Sequence, residues 1–311
     1  MDCKLFTVNC GLLPVNCKLL TVNLLLLLLS FGALAQSDAP TVEAMEERLL
    51  STPVLYNLDT ERVQEIFALG QQLGNRADVF TTIGDSNTTN GDFLQPIGLD
   101  GGSFCRWGEY EPLLETVEHF SVSPDGLAAN SFTRQSLAAK MGFNTAAVLD
   151  PFWATSSQCE RRESPLACEL RVSRPGFVVI MLGGRDILAL TADEYRQNMT
   201  QIVEESIAAG VIPILTTFVV LEERTDVYAT SLEFNMALLD IAEVSQIPLI
   251  NLWRAASDLP DHGIGPDRSH LRARVGDFCG FDGAETQLGG TLRNLLTLQA
   301  LDALRLSLIA Q

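Results

Sequence analysis

The chain is short of basic residues. Of 311 residues, 21 are Lys or Arg against 39 Asp or Glu, for a formal charge of −18. A nucleic-acid binder needs a cationic footprint to neutralise phosphates, and none is present. An anionic membrane surface repels such a chain for the same reason. Three histidines (His119, His262 and His270) and seven cysteines leave few ways to assemble a transition-metal centre. The sequence has no C-x-x-C, no Walker loop, no G-x-G-x-x-G and no G-x-S-x-G elbow. No cofactor is therefore expected. Apolar residues are not scarce: at 47% hydrophobic, with mean hydropathy +0.17, the chain can fill a sizeable core.

Residues 1–35 stand apart. Lys18 precedes Leu19–Leu29, an apolar stretch broken only by Thr21 and Asn23, and Ala33-Leu34-Ala35 follows. This pattern reads as a secretory signal cleaved after Ala35. The alternative is an uncleaved anchor, but the apolar core is shorter than the roughly 20 residues a span needs. After cleavage no stable membrane insertion is expected, and the product is extracytoplasmic. Residues 2–22 repeat every seven residues as DCKLFTV, NCGLLPV and NCKLLTV. Gly11, Pro14 and three cysteines argue against a coiled coil. A short DNA repeat translated from a start placed too far upstream accounts for them.

Removing residues 1–35 takes away Lys4, Lys18 and Asp2, so the charge becomes 19 − 38 = −19. Four cysteines remain, and an even count in an exported chain suggests two disulfides. Cys159 and Cys168 share one loop and form the first expected pair. Cys105 and Cys279 are then left for each other, the alternative being four buried thiols.

Residues 36–75 read as a tether running into a helix, capped by Thr60 and closed by Gly74. From residue 76 to 311 the pattern is that of one domain. Val79–Ile83, Phe177–Leu182, Val211–Phe218 and Ile247–Leu252 are short apolar or β-branched runs, the mark of strands covered on both faces. Helical patterns lie between and after them. Thr191 and Glu194 form a capping box that opens one ending at Gly210. Residues 231–244 and 291–308 are two more. Residues 150–175 read as a long loop. Strands alternating with helices imply a three-layer α/β/α sandwich with a parallel sheet, whose sites lie beyond the carboxyl ends of the strands.

Gly84-Asp85-Ser86 occupies such a position after the first strand. A serine there opens the next helix, and its amide can stabilise an anion. Its hydroxyl needs a base to become a nucleophile. Asp267 and His270 lie three residues apart in Gly265-Pro266-Asp267-Arg268-Ser269-His270-Leu271, so the carboxylate can orient the imidazole. Taken singly, each motif also reads as an ordinary turn or cap.

Together these residues resemble the SGNH (GDSL-like) hydrolases, esterases and lipases of flavodoxin-like α/β/α fold. Residues 79–90 resemble the first sequence block, with Ser86 as nucleophile. Asp267–Leu271 resembles the last, with His270 as base and Asp267 as its orienter. Leu182-Gly183-Gly184-Arg185-Asp186 lines up with the third block, normally Gly-x-Asn-Asp after a strand. Gly142, in Lys140-Met141-Gly142-Phe143, fits the glycine whose amide joins the oxyanion hole. The resemblance covers roughly residues 76–308. It implies a Ser-His-Asp acyl-enzyme mechanism with an oxyanion hole of Ser86, Gly142 and residue 185.

Arg185 departs from the family pattern. Losing one oxyanion donor costs on the order of 3 kcal/mol. The guanidinium either donates in place of asparagine or pairs with Asp186 and turns away, leaving a domain that binds glycans or acyl groups with weakened turnover. His119 and His262 read as packing and loop-lining residues, and Asp85 as a helix cap. Trp107, Trp153 and Trp253 line either a sugar cleft or the core. The expected partner is a small-molecule or polysaccharide ester.

Overall fold

Phe177 to Met181 is apolar without interruption, and in the computed structural model every residue of Pro175–Met181 is buried. A strand buried on both faces needs a layer of helices on each side. The structure describes residues 40–123 and 129–309; the expected signal segment 1–35 lies outside them. The strands are β1 (Leu55–Tyr56), β2 (Arg76–Gly84), β3 (Pro175–Met181), β4 (Ile212–Thr216) and β5 (Leu249–Ile250). They form one sheet in the order β1-β5-β4-β3-β2. The pairs β2–β3, β3–β4 and β4–β5 are parallel. The larger helices are α1 (Val42–Ser51), α2 (Glu61–Leu73), α4 (Leu114–Phe120), α5 (Pro165–Ser173), α6 (Ala192–Ala208), α7 (Tyr228–Ser245) and α8 (Gly289–Leu308), with a single turn, α3 (Ser86–Thr89), after β2.

Strand alternation sorts the helices into two layers. Phe80 and Phe177 are register partners and share one face. There Phe80 and Phe177 meet Phe120 of α4, and Phe177 also meets Phe67 of α2. Helix α8 packs on α4 and joins that layer. Thr81 points the other way and bonds Glu169 of α5. Helix α5 adjoins α6, α6 packs on α7, and α7 packs on α1. Stacked Tyr195 and Phe234, 4.0 Å between ring centres, join α6 to α7. The architecture is therefore the expected three-layer α/β/α sandwich.

Three expectations need correction. The segment read as a tether instead holds α1 and β1. Met45 and Leu49, four apart, bury one face of α1, a short apolar stripe hidden among Glu43, Glu46 and Glu47. Strand β1 runs antiparallel to β5, so the sheet is mixed rather than wholly parallel. The loop at 150–175 contains α5, which Ser164 caps through the Ala167 amide with Pro165 in its first turn. The helix ends at Thr60, Gly74 and Thr191 take the expected caps, the last as a full capping box. No described helix is long and apolar enough to cross a membrane. Cys159 is bonded to Cys168 and Cys105 to Cys279, the two pairs expected from the count and spacing.

Candidate active site

The first half of the site grows from the end of β2. Asp85 caps α3 by accepting the Asn87 amide at 2.9 Å, so Ser86 is the first helical residue. Gly84 allows this turn. A Cβ there would lie 2.1 Å from Thr88 Oγ1 and 2.9 Å from the Met181 carbonyl. Burial pushes the Asp85 carboxyl above its ordinary pKa, against the opposing Asn87 amide and the Arg293 charge.

The second half is a tight reversal before α8. The Gly265 amide donates to the His270 carbonyl at 2.7 Å, and the Arg272 amide to the Gly263 carbonyl at 2.7 Å. Inside this reversal Asp267 Oδ1 accepts the amides of Ser269 and His270 at 3.1 and 3.0 Å. Its Oδ2 lies 2.6 Å from His270 Nδ1. Partial burial raises the Asp267 pKa, but the His270 ring and the two amides outweigh it and hold the carboxyl below its ordinary value. The chain of contacts then closes: His270 Nε2 lies 2.8 Å from Ser86 Oγ. Residues separated by more than half the sequence thus form one hydrogen-bonded line, Asp267–His270–Ser86.

Gly142 approaches from the free edge of β2. The Lys140 amide donates to the Gly84 carbonyl at 3.1 Å, and Gly84 bridges Ala139 in parallel fashion. A buried network fixes this segment. Glu169 accepts the Leu137 amide at 2.7 Å, pairs with Arg134 and bonds Thr81 of β2. Gly142 itself is exposed at φ +83, and its amide makes no hydrogen bond among the described residues.

Arg185 and Asp186 lie beyond β3. Asp186 is fully buried and accepts the Thr145 amide and hydroxyl at 2.8 and 2.6 Å. It therefore ties the turn just after Gly142 to the end of β3. Its other oxygen has no partner. Burial raises its pKa against the Thr145 bonds, and the Asp85 charge adds to the rise. Arg185 is exposed and does not pair with Asp186, whose oxygens meet only Thr145 or no partner, so that alternative for its side chain is not realised.

Two residues of this region escaped the sequence reading. Asn87 Oδ1 accepts the Leu271 amide at 3.0 Å. Arg293 of α8 is 1% exposed, donates to the Asn87 carbonyl at 2.8 Å and the Thr88 hydroxyl at 3.1 Å, and lies 3.6 Å from the Phe93 ring centre. Burial pulls its pKa down to about 9. Its one sequence signal is a cation within the leucine-rich run of α8. His119 bonds the Ala77 carbonyl at 3.2 Å against Phe120, and His262 sits in the turn Pro260–Gly263. Trp107 packs on Phe281 and Trp253 on the core, whereas Trp153 lines a groove with Gly142.

No family model and no curated protein matches this chain. Solved structures do match at low identity. The lipase/acylhydrolase from Enterococcus faecalis is 18% identical over 71% of this chain and 93% of its own, at TM-score 0.46. A GDSL-like lipase from Bacteroides thetaiotaomicron is 13% identical over 77% and 97%, at 0.44. The acetylxylan esterase Axe2 from Geobacillus stearothermophilus is 17% identical over 71% and 93%, at 0.45. Similarity at this level assigns no activity to the present chain.

Proposed function

We propose that this protein is an exported serine esterase, a carboxylic ester hydrolase of the SGNH (GDSL-like) type. The observation that carries the proposal is the line Asp267–His270–Ser86, with contacts of 2.6 and 2.8 Å. A buried structural network has no need to present a serine hydroxyl to a half-exposed imidazole. A nucleophile and its base do.

In this reading His270 Nε2 takes the Ser86 proton as Oγ attacks the ester carbonyl. Asp267 holds the ring tautomer and stabilises the imidazolium. The amides of Ser86 and Gly142 and the guanidinium of Arg185 receive the oxyanion. His270 then returns the proton to the departing alcohol. Water, deprotonated by His270, hydrolyses the acyl-serine and restores the enzyme. The two unengaged amides support this assignment, because an oxyanion hole works only with donors left free in the resting protein. The two disulfides are compatible with an extracytoplasmic site of action.

A panel of nitrophenyl esters of rising acyl length tests the function. Turnover is expected in the parent protein and is lost in Ser86→Ala. Absence of turnover across the panel in the folded parent contradicts the proposal.

A further inference from the structure

Two exposed cations, Lys140 and Arg185, lie on the segments that flank the strand end leading to Ser86. Gly84 faces Met181 of β3 on one side and Ala139 on the other. Lys140 directly follows Ala139, and Arg185 lies four residues beyond Met181. Gly84 thus leads to Ser86 between the segment that carries Lys140, whose amide bonds the Gly84 carbonyl, and the segment that carries Arg185. Both side chains are exposed, and neither makes an ion pair or hydrogen bond among the described residues. This is unusual in this molecule. Every other described arginine except Arg161 and Arg162 has a carboxylate or carbonyl partner, as with Arg106, Arg171, Arg268 and Arg254. Lys140 is the one lysine among the described residues.

We propose that the site selects esters bearing a carboxylate close to the scissile bond, held by Lys140 and Arg185. The proposal rests on the esterase reading above and names its substrate class. The overall charge of −18 does not oppose it. Salt screens distant charges beyond about 10 Å at 0.1 M, so the groups around Ser86 set the local sign: Lys140 and Arg185 against the Asp267 carboxylate, which His270 engages, and the buried Asp85, on which Arg185 acts. Beside Lys140, Met141, Phe143 and Trp153 line an open groove that accommodates the apolar remainder of the substrate. Asp150 lines the same groove, with its Oδ1 already engaged by the Phe152 amide at 2.9 Å. A guanidinium carries five N–H groups, enough for Arg185 to donate both to the oxyanion and to a substrate carboxylate.

Two ester pairs test the proposal. Monophenyl succinate places the carboxylate on the acyl side, and 3-acetoxybenzoate places it on the leaving group. The methyl ester of each is its neutral control. At low salt, kcat/KM for at least one acid is expected to exceed its control by about tenfold, since each exposed ion pair contributes roughly two- to fivefold. The acid that is preferred identifies the side that carries the charge. The preference should shrink toward unity in 0.5 M NaCl, and in Lys140→Gln and Arg185→Gln. If neutral esters turn over and neither acid is preferred, the selectivity proposal is overturned and the esterase reading stands. A preference that neither variant changes also overturns it. Loss of turnover on all four esters in the folded protein overturns both.

Discussion

Asn87 Oδ1 accepts the Leu271 amide at 3.0 Å, so the residue after the serine holds the residue after the histidine. The backbone on which the imidazole rides is thereby fixed to the helix on which the hydroxyl rides. Arg293 secures the same helix from below through the Asn87 carbonyl and the Thr88 hydroxyl.

Removing this tie leaves both reacting groups in place but loosely registered. Asn87→Ala is expected to lower kcat about tenfold with little change in KM. It should cost about 1 kcal/mol of stability, the usual value of one hydrogen bond. An unchanged kcat in the folded variant shows that the tie does not position the base.

The base works only as neutral imidazole. With His270 as the proposed base, kcat/KM for the ester reaction should fall on acidification. Asp267→Asn removes the charge that orients the ring and stabilises the imidazolium, and should lower kcat by about 10²–10⁴-fold. A rate flat from pH 4 to pH 9 contradicts His270 as base.

Much of this site was legible in the sequence, for a definite reason. The proposed catalytic groups sit at ends of regular elements, where local signals are strong: the apolar run into Gly84-Asp85-Ser86, and the three-residue spacing of Asp267 and His270. The strand core announced itself through β-branched and aliphatic runs. What escaped depends on contacts between distant segments. Asn87 is an ordinary polar residue until Leu271 is folded against it. Arg293 is one cation in a leucine-rich helix until Asn87 and Thr88 meet it. Helix α1 has only two buried apolar positions in ten residues, too few for periodicity to register, and β1 is two residues long.

Asp186 gives a stability prediction. Burial raises its pKa in the folded state, so over the interval from its unfolded value up to its folded value the native protein holds more protons than the unfolded chain. Stability from this group is therefore present at low pH and is lost as pH rises through the folded pKa. Asp186→Asn keeps an acceptor for Thr145 and abolishes the titration. Denaturation midpoints measured from pH 4 to pH 7 should show the variant losing less stability with rising pH than the parent. Parallel curves refute a raised pKa.

The two disulfides should differ in effect. Cys105 and Cys279 are 174 residues apart, and Cys159 and Cys168 are 9 apart. In the chain-entropy account the long loop contributes about 5 kcal/mol and the short one about 2–3 kcal/mol. Replacing both members of each pair by alanine and comparing urea midpoints should show the larger loss for Cys105–Cys279. Equal losses contradict the entropic ranking.

The most direct test is covalent. A fluorophosphonate reacts with a serine only when a base activates it and an oxyanion hole receives the phosphoryl oxygen. The folded protein, treated with the probe and digested, should carry one adduct on the peptide containing Ser86. His270→Ala, folded to the same degree, should carry none. A parent protein that stays unlabelled, or a His270→Ala variant labelled as fast as the parent, contradicts the account.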